Sequence, residues 1–484
     1  MFAQNWYQKF ARVFESKVNK VVGLFTLALV LRVVFVLLVP YTPWFDAKWY
    51  DDVAWRLAQG FGYSLATGEP TAYVPPFYSL VLATIYMVFG HSLLAGRLLN
   101  AVLDSFTAVL LYQLVVEFHR GTGKPYVRLA VISGILYAVN PITMFMSGVT
   151  MTEIVFTTLL VAILLFAVRV RRKRNQSVEE NQSTQDAVLG QERVWYAIVG
   201  VLGGLAALTR SAVVPVWAFI ICESVAPQRV LGRVYKVLIA TTFFVLTISP
   251  WVARNWRISG QIVFDNHAGW GMYAGTKYEG TLSGRHVNVD VPISSEWELI
   301  KVGRQELLNY VKERPVEYLW YSLRRAGHML DLNLEAFMAS FASVTYGSEY
   351  SRFSEFLRSK PAMIPVALLP ILQSILWISG GLIGLYSWFD LPGRNTILTI
   401  VLLWVVSHAA FTGFPRYFMP MLPLLTIPLA HAILYVREHQ PLSSRSSAPL
   451  RWKGTLSNIT ITLMLILAIG TWLTTVGALS TRLV

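Results

Sequence analysis

Residues 43–76 read PWFDAKWYDDVAWRLAQGFGYSLATGEPTAYVPP and lie between two long apolar segments. The stretch carries four carboxylates (Asp46, Asp51, Asp52 and Glu69), a Gly-rich turn and a Pro-Pro pair. The chain around it is 55% hydrophobic and only 14% charged, whereas soluble domains are closer to a quarter charged. Asp46, Tyr50 and Ala54 stand four residues apart, a spacing that puts their side chains on one face of a helix. Carboxylates held where chain meets bilayer are costly and mark function by default. The stretch is therefore read as the catalytic loop of a membrane enzyme, with the rest of the chain as its scaffold.

Working outward, Val21 to Val39 is an apolar run too long for a signal-peptide core, and it is expected to be an uncleaved anchor. It contains Arg32, expected to pair within the bundle or to snorkel. Residues 46–59 have helical spacing, and Pro75-Pro76 opens a short apolar helix to Phe89, too short for an ordinary span and read as interfacial or re-entrant. Further apolar runs fall near 93–116, 129–145 (broken at Asn140-Pro141), 148–168, 194–209, 212–225, 237–252, 361–387, 396–411, 420–436 and 456–476. Runs of this length predict an all-α fold, a polytopic transmembrane helix bundle of about 11 spans. The segment 254–360 has an amphipathic helical period with Pro315 as a break, and predicts outward juxtamembrane helices packed on the bundle. Three parts follow: an N-terminal transmembrane catalytic module (1–253, with loop 40–92), the amphipathic segment (254–360) and C-terminal transmembrane helices (361–484).

The formal charge is +14, but the basic residues sit in loops and no basic module stands apart, so nucleic acid is not an expected partner. With the N-terminus inside, the inside segments carry 21 Lys and Arg against about 5 in the short outside segments. That split predicts a multi-pass protein of the cell (plasma) membrane with a cytoplasmic N-terminus and with residues 40–92 and 254–360 outside. Residues 177–192 (SVEENQSTQDAVLGQE) read as a disordered cytoplasmic loop. The single cysteine, Cys222, lies in an apolar run and excludes intrachain disulfides.

This topology collects Asp46, Glu153, Arg210, Arg254 and Arg416 at the outward membrane level. Carboxylates facing guanidinium groups suit transfer from a phosphorylated donor. A carboxylate takes the acceptor's proton, and arginines hold the phosphate as it leaves. Blander readings are set beside these: Asp46 as a helix cap, Glu153 as a structural partner of an arginine, and the arginines as interface anchors. Asp51 and Asp52 are expected to face solvent. His267 and His328 are expected to be surface or packing residues rather than zinc ligands, since no Cys or paired His stands at ligand spacing. Trp251, Trp256 and Trp270 fit an aromatic belt.

The motifs DAKWYDDVAWRLAQGFGYS and PTAYVPPFYSLVLATIYMVFG resemble the N-terminal signature of membrane glycosyltransferases of the GT-C superfamily, in its family 39 and family 83 branches. MTEIVF around Glu153, GLAALTR ending at Arg210, PWVARNW at 250–256 and PRYFMPMLP at 415–423 are similar to bacterial members and occur in the same order. The acid commonly following the first Asp is Ala47 here, and the Lys common before the Pro-Pro pair in the lipid A-modifying branch is Val74. The resemblance implies a GT-C type bundle and an inverting transfer from a polyprenyl-phosphate-linked sugar to a lipid, glycan or protein acceptor. It assigns Asp46 and Glu153 to catalysis, and Tyr50, Arg210, Arg254, Arg416 and Tyr417 to substrate. No metal ligand is assigned, although assistance by a divalent metal is left open. A secondary transporter or lipid flippase is the alternative, although no internal repeat is visible.

Overall fold

The structure is a computed structural model that describes residues 16–43, 46–120, 126–179, 185–226, 230–277, 289, 295–330, 375–387, 392–438 and 459–470. The described residues form helices and no strand beyond one isolated bridge between Ser64 and Pro70. The expected all-α architecture is what these sequences form. The N-terminal basic segment to residue 15, residues 331–374 (with the start of the run at 361–387), residues 180–184 and both ends of the last apolar run lie outside the described residues.

The first helix, α1 (Lys17–Leu38), starts where the Ser16 side chain accepts the Asn19 N–H. It is followed by α2 (Asp46–Ala58), α3 (Phe77–Phe89) and α4 (Leu93–His119). Next, α5 (Val127–Ala138) and α6 (Pro141–Ser147) are bent by 55° at Asn140-Pro141. Pro141 sits at a helix start, where its missing N–H costs nothing, and the Asn140 side chain caps the Thr143 N–H at 3.0 Å. The bundle continues through α7 (Glu153–Glu179), α8 (Gln185–Ala207), α9 (Val214–Val225) and α10 (Val230–Ser259).

Among the described residues, five helices are long and apolar enough to cross a membrane: Val18–Leu38, Leu93–His119, Glu153–Lys173, Gly232–Ser259 and Pro415–Leu434. The bent α5–α6 pair makes up to six, and five further apolar helices are shorter. The chain is thus a multi-pass helical membrane protein. By length alone, the described helices account for fewer crossings than the eleven expected from apolar runs.

Two features of the sequence explain how the spans pack. Gly200 and Gly204 face α10 from α8. A Cβ at Gly200 would fall 2.3 Å from the Ala240 carbonyl oxygen, and one at Gly204 would fall 2.5 Å from Thr247 Cβ. Small residues at this spacing let two helix backbones approach, which is how spans associate when lipid removes the hydrophobic drive. The second is a buried ion pair. Arg32 on α1 and Asp104 on α4 are both fully buried, 2.5 Å apart. Arg32 also donates to the Ala138 carbonyl at 2.8 Å and to Thr143 Oγ1 at 3.1 Å, and the Tyr137 hydroxyl donates to Asp104 at 2.5 Å. Of the two roles expected for Arg32, the structure selects pairing within the bundle, where it ties α1, α4, α5 and α6.

The described part of 254–330 lies on the bundle as α11 (His267–Ala274), α12 (Leu299–Glu313) and α13 (Pro315–Leu330). Arg325 on α13 is fully buried and donates to the carbonyls of Ala409 at 2.6 Å and Gly275 at 3.0 Å. Glu296 accepts the Ala72 N–H at 2.6 Å and the Thr71 hydroxyl at 2.8 Å, tying this segment to the loop after α2. The C-terminal part contains a π-helical turn (Ile375–Ser379), α14 (Gly380–Ser387), α15 (Arg394–Ala409), a 3-10 turn (Pro415–Met421), α16 (Leu422–Glu438) and α17 (Ile459–Gly470).

Candidate active site

The site is built where α2, the start of α7, the end of α8 and the 3-10 turn at 415–421 meet. Asp46 is the first residue of α2, where the helix dipole favours an anion. One turn on, Tyr50 is buried and packs edge-on against Tyr78, with ring centroids 5.4 Å apart. Ala54, another turn on, is fully buried, so its small side chain lets α2 lie against its neighbours. The four-residue spacing read in the sequence is thus one inward face. The turn after α2 needs backbone conformations that favour glycine, and Gly60 (φ 85°) and Gly62 (φ 74°) supply them. Past Pro75-Pro76, the Phe77 N–H donates to the Leu208 carbonyl at 2.9 Å, which pins the loop to the end of α8.

Four charged side chains, alternating in sign, stand in series, beginning at the most exposed. The Arg416 guanidinium donates to the Asp46 carboxylate. Its Nε lies 3.9 Å from the Glu153 carboxylate. Glu153 in turn accepts from Arg210 at 2.5 Å, and Arg210 Nε donates to Thr152 Oγ1 at 3.0 Å. The Tyr417 ring lies against both guanidinium groups, at 5.0 Å from Arg210 and 5.4 Å from Arg416. Side-chain exposure along the series is 48% for Asp46, 29% for Arg416, 1% for Glu153 and 13% for Arg210, so the most buried member is the second carboxylate. Asp46 is therefore the carboxylate that an incoming molecule can reach. Glu153 is a buried anchor that fixes Arg210 and adds a negative charge beside Arg416.

Burial pushes the Asp46 pKa up, but the Arg416 charge and hydrogen bond, then the His267 and Arg210 charges, outweigh it and hold the carboxyl below its ordinary value. Burial, then the Asp46 charge, pushes the Tyr50 hydroxyl well above its ordinary value, so Tyr50 stays protonated and is not a base. Tyr73 is raised for the same two reasons.

The expected site residues therefore divide. Asp46, Tyr50, Glu153, Arg210, Arg416 and Tyr417 come together, and Arg254 lies elsewhere. Its guanidinium donates to the carbonyls of Tyr63 at 2.6 Å and Thr71 at 2.7 Å, and it stacks at 4.9 Å from the Trp251 ring. Arg254 clamps the Gly-rich loop. Charged hydrogen bonds are worth about 1.5–3 kcal/mol each. Arg254→Ala is therefore expected to speed amide hydrogen exchange selectively at residues 62–74. Exchange equal to that of the parent there would show that the loop is held by other contacts.

Asp51 does not face solvent as expected. It is buried, accepting from the Tyr86 hydroxyl at 2.6 Å and facing His91 Nε2 at 2.8 Å. Helical phase explains this: Asp51 follows Tyr50 onto the inward side of α2, whereas Asp52 turns outward and pairs with Lys48 at 2.8 Å. Trp251 and Trp270 are buried and only Trp256 is exposed, so the expected belt reduces to one member. Thr152, Tyr73 and His267 join the site without having been singled out for it. Thr152 was legible as the neighbour of Glu153 in MTEIVF, whereas His267 packs between Tyr73 (5.3 Å) and Trp270 (5.2 Å) through tertiary contacts alone.

Both carboxylates of the site are engaged by arginine. Among the described residues no three His, Cys, Asp or Glu side chains gather as a metal site would require.

No family model matches the sequence, and a comparison with curated proteins finds no match. Among solved structures, the chain is similar to ArnT from Cupriavidus metallidurans bound to undecaprenyl phosphate, at 13% identity and a TM-score of 0.46, over 97% of this chain and 72% of that one. It is also similar to the oligosaccharyltransferase AglB from Archaeoglobus fulgidus in complex with an inhibitory peptide and a dolichol-phosphate, at 13% identity and a TM-score of 0.46, over 97% and 56% of the two chains. The apo form of the Archaeoglobus enzyme gives 13% identity, a TM-score of 0.48 and 96% and 56% coverage. The chain thus spans little more than half the length of the archaeal protein. The functional reading rests on the site itself.

Proposed function

We propose that the chain is an integral membrane glycosyltransferase that moves a sugar from a polyprenyl-phosphate donor to a hydroxyl acceptor at the outward face, with inversion. The observation that carries this reading is the Asp46–Arg416 pair at the open end of the charge series. In the resting site Arg416 neutralises Asp46. An incoming donor phosphate competes for that guanidinium, and Asp46 regains basicity as Arg416 turns to the phosphate. The acceptor oxygen then attacks the anomeric carbon, and Asp46 takes the hydroxyl proton. The bond from the anomeric carbon to the phosphate oxygen breaks, and the lipid phosphate leaves with the electron pair. Arg416 meets the charge that develops on it. Attack on the side opposite the leaving group inverts the anomeric centre, as in inverting glycoside chemistry. Glu153 acts as a positioning residue that holds Arg210 and faces Arg416 with its charge.

The rival transporter or flippase needs polar groups inside the bundle that can change partners. The Arg32–Asp104 pair is the polar centre closest to that description, and its hydrogen bonds to α4, α5 and α6 make it a tie between helices rather than a moving site.

The donor class is the decisive test. A nucleotide-sugar enzyme requires a fold that grips the nucleotide, usually through a Gly-rich turn at a helix start. A lipid carrier needs only a groove between spans and a cation at the interface. Purified protein in detergent is expected to transfer sugar from a polyprenyl monophosphate donor and to ignore the matching nucleotide sugar. Transfer from the nucleotide sugar without lipid would overturn the reading.

A further inference from the structure

A second polar site lies at the far end of the same helices. Glu153 opens α7 and Arg171 comes eighteen residues later, so the two ends stand about 27 Å apart along the helix. There, the ends of α4, α7 and α9 and the start of α15 enclose a cavity of about 390 Å³.

Its walls carry four arginines (Arg120, Arg171, Arg172 and Arg394) against two glutamates. Both glutamates are already engaged. Glu117 meets Arg172 at 2.8 Å and Arg169 at 3.3 Å, and Glu223 meets Arg171 at 2.9 Å and accepts the Thr396 hydroxyl at 2.5 Å. Arg120 reaches Glu117 only at 3.9 Å, beyond hydrogen-bond range. The cavity thus has a cationic excess, in a space of ligand size. The start of α15 adds to it. Gly393, at φ 78°, occupies the cap position and supplies no side-chain acceptor for the first amides of this 16-residue helix. A Cβ there would fall 2.6 Å from the Phe118 ring, so the turn is packed tightly onto the end of α4.

We infer that this cavity, at the opposite end of the bundle from Asp46, binds a phosphate-type oxyanion between Arg120, Arg171 and the start of α15. Guanidinium groups and helix-start amides recognise the same group whether it is free phosphate or the headgroup of an anionic phospholipid. The inference is independent of the reaction proposed above.

The test uses the full chain, purified and delipidated in a neutral detergent, with thermal stability as the readout. One arm titrates sodium phosphate against sodium chloride at equal ionic strength. The other titrates phosphatidylglycerol against phosphatidylcholine. Saturable stabilisation is expected in at least one arm: the phosphate arm identifies a soluble anion, and the phosphatidylglycerol arm alone identifies a headgroup. Arg120 and Arg171 are 49% and 41% exposed, so R120Q and R171Q are made separately and each carries the test if the other folds poorly. Losing one charge-assisted contact is expected to weaken binding about tenfold or more. Lys48→Gln, on the exposed side of α2 at the other end, is expected to leave it unchanged. No saturable effect in either arm, or binding that R120Q and R171Q leave intact, would overturn the inference.

Discussion

Asp46→Asn is expected to lower transfer by about 10²–10⁴-fold while the protein stays folded and inserted, because the amide keeps the shape of the carboxylate and loses its basicity. The side chain is 48% exposed and its described bond is to Arg416, so the substitution leaves no buried charge unpaired in the core. The pH profile gives a second reading. In the free enzyme, Arg416 holds Asp46 below its ordinary value. If the donor phosphate draws Arg416 away, Asp46 moves back up in the complex. The acid limb of kcat, which reports the complex, is then expected at higher pH than that of kcat/KM, which reports the free enzyme. The linked stability has a definite sign. A carboxylate depressed in the folded state stabilises above the ordinary aspartate range, and that contribution is lost as pH falls through the folded value. Near-parental turnover by Asp46→Asn would return Asp46 to the role of helix cap.

Arg210→Ala is expected to destabilise the protein by about 3–5 kcal/mol, since removing one partner of a buried pair strands the other charge. Glu153 is 1% exposed and has Arg210 at 2.5 Å, with Arg416 only at 3.9 Å, so little remains to hold it. Glu153→Gln is expected to cost less, because the amide oxygen still accepts from Arg210 and no anion is left behind. A double-mutant cycle on the pair should show strong coupling. Chemical unfolding in micelles measures all three variants. A loss below about 1 kcal/mol for Arg210→Ala would mean that the pair behaves like a surface one and does not anchor the site.

Much of the site was legible because its residues carry chemistry that a membrane chain does not keep without cause. Asp46, Glu153, Arg210 and Arg416 stand out against a sequence that is only 14% charged. Arg254 stands out by the same logic, yet the structure turns it to the carbonyls of Tyr63 and Thr71. Its neighbours in sequence do not reveal this, because the acceptors lie almost two hundred positions earlier and are backbone atoms. Asp51 shows the opposite case: a charged residue in a charged run is buried because helix phase points it at Tyr86 and His91. The arginine-lined cavity is not legible in the sequence, because its arginines look like loop charges of the kind that set orientation. What distinguishes them is convergence in space.

By itself, the sequence determined that the chain is a multi-pass helical membrane protein. Apolar run length and charge scarcity decide that, because the bilayer demands backbone groups satisfied within each segment. It also determined the one-face spacing of Asp46, Tyr50 and Ala54, since 3.6 residues per turn is a local property. Only the tertiary structure decided which acid meets which arginine, that Asp46 is open while Glu153 is closed, and that Arg254 serves the loop. Those are contacts between residues up to 370 positions apart, and helix packing sets them through small-residue contacts and phase, neither of which is written in any one stretch.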